Sequence, residues 1–345
     1  MRQPNAVYYP KLDYVRAAAS LGVLASHSDP WQVLPRDFGN ASVQVFFALS
    51  GFLIGGVLLK LKLGDLPRFY FNRVTRIWIP YFLAVALVVA ATIMKQSIFD
   101  AKLWEIVFYK ITFVYNIFGT PQLTNFAARF PLAGTANHFW SICVEEQFYL
   151  VAPFVIVLVR RAVIPIATIL VAVNFLYPHD FAAISLGILL ATSSQSYDSW
   201  FLRAVPRLVL ACIFCSTVSI VSIWPELYPA IFPFAAASLV AMFATPGKQQ
   251  TLGRLAGGIS FSLYLDAWIA FFAVNYVAKM LHLSAPAVVG VAGALLLSFF
   301  HYELIDRQIA QHRELWFSQR VGRYLCLLGF ALLLTGCFVG LILTE

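Results

Sequence analysis

A succession of long apolar runs, separated by short basic segments, constrains this chain more than any other feature. A helix needs about 20 such residues to cross the hydrocarbon core of a bilayer. Charged residues make up 12% of the chain, against about 25% in soluble domains, so a soluble fold would expose large apolar patches to water. The sequence therefore predicts an all-α polytopic membrane protein and excludes both a single soluble core and intrinsic disorder.

The apolar runs predict a bundle of about ten to twelve membrane-spanning helices, of which we favour eleven. A further apolar segment, residues 104–118, contains Glu105 and Lys110 and is therefore expected to be interfacial or re-entrant. The eleven predicted spans are residues 12–28, 43–63, 77–95, 139–159, 163–177, 181–196, 206–224, 228–245, 255–281, 286–304 and 321–343.

The distribution of Lys and Arg predicts that the N-terminus lies in the cytoplasm. In that orientation, 18 of the 24 basic residues lie on the cytoplasmic side. If residues 104–118 crossed the membrane completely, Arg160, Arg161 and the later basic loops would fall on the outer side. Membrane topology thus accounts for the net charge of +8, which gives no support for nucleic-acid binding.

Residues 1–345 are expected to form one transmembrane domain, because eleven spans and their loops leave no room for an appended soluble domain. Cys212 and Cys215 have the spacing of a zinc or redox pair. They lack a second pair of ligands and lie within a span, so we interpret them as packing residues and expect no metal. The sequence does not indicate an oligomeric state.

The first predicted span carries two ionisable side chains, Arg16 and His27, on one helical face. Eleven residues correspond to three turns plus about 20°, and to about 16 Å along the helix axis. An ionisable residue within a span costs about 2.5–3.5 kcal/mol to insert, so the pair indicates a functional site. The alternative is an anchoring arginine and a histidine that packs between helices.

Two further charged clusters lie in or beside predicted spans. Arg73 and Arg76 are i,i+3 neighbours at the cytoplasmic entrance of a helix, where guanidinium groups suit either a phosphate ligand or lipid headgroups. Glu145 and Glu146 are adjacent acids in an apolar span, so at least one should face a polar cavity or partner. A buried structural salt bridge is the alternative for the acidic pair.

Two more polar residues are candidates for substrate binding. Ser50 precedes a Gly-x-x-x-Gly pattern that is typical of close helix packing, and its hydroxyl could bind substrate or its own helix backbone. Asp266 lies deep in a span, where an unpaired carboxylate would be costly.

These segments, in this order, resemble the acyltransferase 3 family of integral membrane acyltransferases. The most specific part of the resemblance lies in residues 12–153. Two positions depart from the family pattern. Ala267 stands where the family often has His. The family also has a C-terminal Glu-x-Pro pattern, whereas this chain has Glu303-Leu304-Ile305. The matching segments are Leu12-Asp13…Arg16-x10-His27, Phe46-Phe47-x-Leu49-Ser50-Gly51-Phe52, Arg73-x-x-Arg76-Ile77-x-x-Pro80, Trp140-Ser141-x-x-x-Glu145-x-x-Phe148-Tyr149-x-x-x-Pro153 and Ile259–Leu265.

The resemblance implies transfer of an acyl group, usually acetyl, from cytoplasmic acyl-CoA to a hydroxyl of a cell-surface glycan or glycolipid. Acetyl-CoA is then the expected co-substrate, and the glycan acceptor and the lipid bilayer are the expected partners. The resemblance also implies a location in the inner membrane of a bacterium.

The resemblance also suggests roles for individual residues. His27 is predicted to take the proton of the acceptor hydroxyl, and Glu145 to orient His27. Arg16, Arg73 and Arg76 are predicted to bind the phosphates of acyl-CoA. The predicted substrate-binding residues are Ser50, Trp140, Ser141, Tyr149 and Asp266.

A proton-coupled transporter or export permease for a glycan or small molecule is the alternative function. Arg16, His27 and Glu145 would then form a proton relay, and no acyl-CoA would be needed. Within the acyltransferase hypothesis, the sequence does not separate direct transfer from a covalent relay through Ser50, Ser141 or His27.

Overall fold

The structure is a computed structural model that describes residues 7–28, 35, 37–96, 100–129, 131–132, 134, 136–196, 200–283 and 287–344. Throughout these residues the regular secondary structure is helical, without a β-strand. The predicted all-α fold class is confirmed.

The described chain consists of long helices joined by short turns. Two of the turns are π-helical, Tyr115–Gly119 and Tyr302–Asp306, and 3₁₀ turns precede several of the helices. The α-helices are α1 (Pro10–Ser28), α2 (Phe38–Leu58), α3 (Leu66–Gln96), α4 (Ala101–Ile111), α5 (Thr124–Ala127), α6 (Trp140–Leu158), α7 (Val163–Val173), α8 (Phe181–Ser196), α9 (Ala204–Ile223), α10 (Tyr228–Phe243), α11 (Thr251–Met280), α12 (Ala287–His301), α13 (Arg307–Trp316) and α14 (Gln319–Thr344).

Eight helical segments of the described chain are long and apolar enough to cross a membrane. A shorter apolar helix, Phe181–Gln195, adds to them. Each of the eleven predicted spans overlaps an α-helix, although residue 286, where the tenth predicted span begins, lies outside the described residues. The helices α1 and α7 are not among the segments long and apolar enough to cross, and α7 has only 11 residues, so a total of eleven crossings stays a prediction. The eight segments are Phe38–Leu58, Leu63–Gln96, Asn137–Leu158, Ala204–Ile223, Pro225–Phe243, Thr251–Met280, Ala287–Trp316 and Gln319–Thr344.

Residues 104–118 do not form one continuous helix. The helix α4 has 11 residues and ends before Phe113, whose φ of 59° lies in the left-handed region. The π-helical turn at Tyr115–Gly119 follows. A membrane crossing needs about 20 helical residues, so this break agrees with the expectation that the segment does not span the bilayer.

The helices fall into two compact units. The first unit comprises residues 1–61 and 155–264, and the second comprises residues 62–154 and 265–345, in each case as far as they are described. The division lies within α11, between Tyr264 and Leu265. That the whole chain acts as one transmembrane domain stays a prediction.

Glycines set the helix packing of the first unit. A Cβ atom at Gly51 on α2 would overlap the carbonyl oxygen of Ile184 on α8, and one at Gly187 would overlap the carbonyl oxygen of Ala48. Small residues allow helix backbones to approach this closely within membranes. The Gly-x-x-x-Gly pattern beside Ser50 therefore packs α2 against α8.

Aromatic side chains and glycines set the packing of the second unit. Tyr81 on α3 is fully buried and contacts the rings of Phe113 and Phe139, with ring centroids 5.9 and 5.4 Å away. Within this unit, α14 packs against its neighbours through small residues, with Gly322 against the carbonyl oxygen of Pro67 and Gly336 against Thr112. This core supports the start of α6, which carries several of the predicted site residues.

Candidate functional site

The predicted site residues divide between the two units. The first unit holds three of them, two on α1 and one on α2. The second unit holds the others, on α3, α6 and α11. The first unit holds Arg16, His27 and Ser50, and the second holds Arg73, Arg76, Trp140, Ser141, Glu145, Tyr149 and Asp266.

His27 lies at the C-terminal end of α1, with its ring held by local hydrogen-bonding groups. Its Nδ1 is 2.8 Å from the carbonyl oxygen of Val23 and 3.0 Å from the hydroxyl oxygen of Ser26. A carbonyl oxygen only accepts hydrogen bonds, so Nδ1 carries a proton. In the neutral ring the lone pair is therefore on Nε2, which is the atom that can accept a proton in catalysis.

Arg16 lies near the start of α1, beside a polar cluster at the N-terminal end of the chain. The hydroxyl of Tyr8 donates to the Asp13 carboxylate and accepts from Gln249 Nε2 at 3.3 Å. Burial and the hydrogen bond to Asp13 raise the pKa of Tyr8, and Arg16 is near enough to oppose this shift. Because α1 is continuous from Pro10 to Ser28, the predicted spacing of about 16 Å between Arg16 and His27 holds.

Ser50 is half-buried on α2, immediately before the glycine that packs against α8. Its predicted role in substrate binding stays a prediction.

Arg73 on α3 lies between two aromatic rings. Its guanidinium carbon is 5.9 Å from the ring centroid of Phe69 and 5.7 Å from that of Tyr149 on α6. Cation–π contact of this kind holds a guanidinium group without neutralising its charge. The structure thus brings together two residues that the sequence placed on separate motifs, Arg73 and Tyr149.

The adjacent acids on α6 differ in environment. Glu145 is half-buried, whereas only 2% of Glu146 is exposed. Trp78 on α3 donates a hydrogen bond of 2.7 Å from Nε1 to Glu146 Oε2, while Glu146 Oε1 has no hydrogen-bond partner within the described residues. Arg73 lies within electrostatic range of Glu146. The second unit therefore holds an acidic side chain next to Arg73 that the prediction did not assign to the site.

The start of α6 is anchored by a buried lysine. Lys110 on α4 donates a hydrogen bond of 2.7 Å to the carbonyl oxygen of Ala136, and its Nζ lies 3.3 Å from the ring centroid of Tyr115. Burial lowers the pKa of Lys110 to about 7. Ser141 follows on α6 and is buried, and Trp140 begins the helix and is half-buried.

Asp266 on α11 is paired with a histidine from the next helix. Its Oδ2 contacts Nδ1 of His301 at the end of α12, and both side chains are almost completely buried. Asp266 Oδ1 and His301 Nε2 have no hydrogen-bond partner among the described residues. The predicted role of Asp266 in substrate binding stays a prediction, but any ligand there would also meet His301.

The end of the second unit that carries Arg73 and Arg76 holds more arginine than the motif alone indicates. Arg76 is exposed on α3, and Arg313 on α13 lies within its electrostatic range. Glu314 on the same helix forms an ion pair with Arg68 and also lies within electrostatic range of Arg313. Nε of Arg313 is buried and has no hydrogen-bond partner within the described chain.

Comparison with known proteins identifies the family. Residues 9–303 match the family model described as an acyltransferase domain. The chain belongs to the acyltransferase 3 family. All ten predicted site residues lie within the matched range.

Curated relatives of this acyltransferase 3 family chain include bacterial proteins whose names describe them as O-acetyltransferases or putative O-acetyltransferases. A Staphylococcus aureus (strain COL) protein named "Putative O-acetyltransferase SACOL0978" is 28% identical over 200 residues, which cover 55% of this chain and 31% of that protein. The Listeria monocytogenes peptidoglycan O-acetyltransferase OatA is 31% identical over 165 residues, which cover 42% of this chain and 24% of OatA. The chain thus matches about a third or less of these relatives' length. No solved structure matches the chain significantly.

Sequence reasoning missed three residues of this acyltransferase 3 family chain that the structure adds to the candidate site. The sequence presents Glu146 only as one of two adjacent acids, and no local pattern connects it with Trp78, which lies 68 residues earlier on α3. In the sequence, Arg313 is one of the 18 basic residues that the predicted topology places on the cytoplasmic side. His301 is 35 residues from Asp266, so no local pattern connects the two.

Proposed function

We propose that the protein is a membrane O-acyltransferase that moves an acetyl group from cytoplasmic acetyl-CoA to a hydroxyl of a cell-surface glycan or glycolipid. The family match and the O-acetyltransferase names of the relatives support the reaction class. The observation that carries the proposal is the state of His27, since the Val23 carbonyl requires the proton on Nδ1 and leaves Nε2 as the proton acceptor.

In the proposed reaction, His27 Nε2 accepts the proton of the acceptor hydroxyl as the hydroxyl oxygen attacks the thioester carbonyl. The new C–O bond forms, the C–S bond breaks, and the thiolate of CoA takes up the proton as it leaves. Glu145 is retained as the residue that supports His27, on the sequence argument alone. The proposed location is the inner membrane of a bacterium.

The donor side is proposed to bind the phosphates of acetyl-CoA through arginines. The sequence predicts this role for Arg16, Arg73 and Arg76. Guanidinium groups are suited to bidentate contact with phosphate oxygens. We add Arg313, because it lies near Arg76 and its buried Nε has no hydrogen-bond acceptor among the residues that the structure describes. Two arginines held near one another repel, so a bound anion would stabilise this arrangement.

Labelled acetyl-CoA supplied to oriented membrane vesicles tests the proposal. Inverted vesicles, which expose the cytoplasmic face, are expected to transfer label to glycan or glycolipid, whereas right-side-out vesicles are not. A chain with His27→Ala at matched abundance should show label at the level of vesicles that lack the protein.

Label transferred equally by the His27→Ala chain would remove the catalytic role of His27. Absence of esterified label in inverted vesicles, together with transport of a glycan, would favour the transporter instead.

A further inference from the structure

We propose that Ser26 on α1 and Gly39 on α2 are positioning residues that hold His27 in its Nδ1–H form, with Nε2 presented as the proton acceptor. The inference rests on the proposed function for its catalytic meaning. Its structural content, the tautomer of His27, can be measured without any substrate.

The hydrogen bonds around Ser26 fix the direction of each proton. The Ser26 hydroxyl donates to the carbonyl oxygen of Val23 at 2.8 Å, so its only hydrogen is used there. The same oxygen lies 3.0 Å from His27 Nδ1 and can therefore only accept from it. Nδ1–H thus has two acceptors, the Ser26 oxygen and the Val23 carbonyl, and neither could donate a hydrogen bond to an unprotonated Nδ1.

Gly39 provides the space in which Ser26 adopts this position. A Cβ atom at Gly39 would lie 2.5 Å from Ser26 Oγ, 3.3 Å from Ser26 Cβ and 3.5 Å from His27 Cε1. Real Cβ atoms do not approach an oxygen so closely, and Oγ is a single atom on a short side chain with few other positions. Any larger residue at position 39 would therefore displace the Ser26 hydroxyl and press on the His27 ring.

The same helix pair contains a matched contact without a histidine. One turn earlier on α1, a Cβ atom at Gly22 would overlap the hydroxyl oxygen of Ser42 on α2. Ser42 donates to the carbonyl oxygen of Phe38, which is on its own helix, at 3.1 Å. Gly22→Ala therefore disturbs the same interface by the same kind of contact, but it does not disturb the hydrogen bonds of His27.

The tautomer of His27 is measured by NMR of the full chain labelled with ¹⁵N-histidine in lipid nanodiscs, at a pH where ordinary imidazole is neutral. The chain contains six histidines, and the signals of His27 are those absent from His27→Gln. We expect the Nδ1–H form in the unsubstituted chain. Gly39→Ala and Ser26→Ala should each lower the population of that form, whereas Gly22→Ala should leave it unchanged.

Acetyl transfer then tests whether the position of the ring matters for catalysis. Ser26→Ala removes one hydrogen bond and should lower kcat about three- to tenfold. Gly39→Ala also moves the ring and should lower kcat about tenfold or more, without raising KM for acetyl-CoA. Adding Gly39→Ala to Ser26→Ala should cost little further kcat, because the displaced oxygen is already absent.

Three results would overturn the inference: an Nδ1–H population unaffected by Gly39→Ala, an equal fall in kcat for Gly22→Ala and Gly39→Ala per folded molecule, or fully additive losses in the double variant. If the unsubstituted chain shows the expected tautomer but transfers no acetyl group, the proposed function fails while the positioning of His27 by Ser26 and Gly39 stands.

Discussion

At the scale of single residues, the structure separates two side chains that the sequence presents as equals. Glu145 and Glu146 point about 100° apart on α6, and nothing local to the sequence says which one is buried. Which acid is buried depends on Trp78, which lies on α3 and donates a hydrogen bond to Glu146. Likewise, the family motif gives Arg73, but only the packing of α3 against α6 shows that Tyr149 lies against it.

The Trp78–Glu146 hydrogen bond is predicted to stabilise the second unit. Glu146→Leu leaves the Trp78 N–H buried without an acceptor, and Trp78→Phe removes the donor to Glu146, so each should lower the free energy of unfolding by about 1–3 kcal/mol. The double variant should lose less than the sum, because neither group is then left unpaired. Thermal unfolding in detergent compares the stability of the parent chain, the two single variants and the double variant. Losses that add exactly in the double variant would contradict the Trp78–Glu146 hydrogen bond.

Arg313 is predicted to bind the acyl donor. Arg313→Gln should raise KM for acetyl-CoA about three- to tenfold with little change in kcat, since it removes a charge that contacts phosphate in both ground and transition states. Arg320→Gln, which removes a basic residue from the N-terminal turn of α14, is the matched control. Equal effects of the two substitutions would indicate general surface charge rather than a binding residue.

At the scale of helices, the sequence predicted where helices form better than it predicted the residues at which they end. Each of the eleven predicted spans falls on a helix, because long apolar runs have few other solutions in a bilayer. The end of α4 was not predictable in the same way. Phe113 adopts a positive φ although phenylalanine has no preference for it, so this break is imposed by packing, with Phe113 fully buried against Tyr81 and Trp78.

Lys110 on α4 gives a pH-dependent prediction. Its pKa is about 7 in the folded chain, against 10.5 for an ordinary lysine, so the unfolded chain binds more protons between these values. The contribution of Lys110 to the free energy of unfolding should therefore rise with pH across that window, by about 2 kcal/mol from pH 7 to pH 9.

Lys110→Met removes this titration and supplies the reference. The difference in unfolding free energy, parent minus Lys110→Met, should increase from pH 7 to pH 9. A difference that stays flat or falls over this range would show that Lys110 is charged in the folded chain.

At the scale of the whole molecule, the family assignment depends on order and spacing rather than on any one motif. The segments that carry the resemblance run from Leu12 to Leu265, with the most specific ones in residues 12–153, and the family match extends over residues 9–303. What the sequence could not give is the division of the site residues between two compact units, since that division depends on contacts between residues far apart in the chain. The pairing of Asp266 with His301 arises in the same way.

The central claim is that this chain acetylates a surface glycan by means of His27. The most direct measurement is NMR of O-acetyl groups on purified surface glycans from a parent strain, a deletion strain, and the deletion strain expressing His27→Ala at matched abundance. The account predicts that one acetyl signal is lost in both the deletion and the His27→Ala strain and restored by the unsubstituted chain. An acetyl pattern that is the same in all strains would contradict glycan acetylation, and a signal restored by His27→Ala would contradict the role of His27.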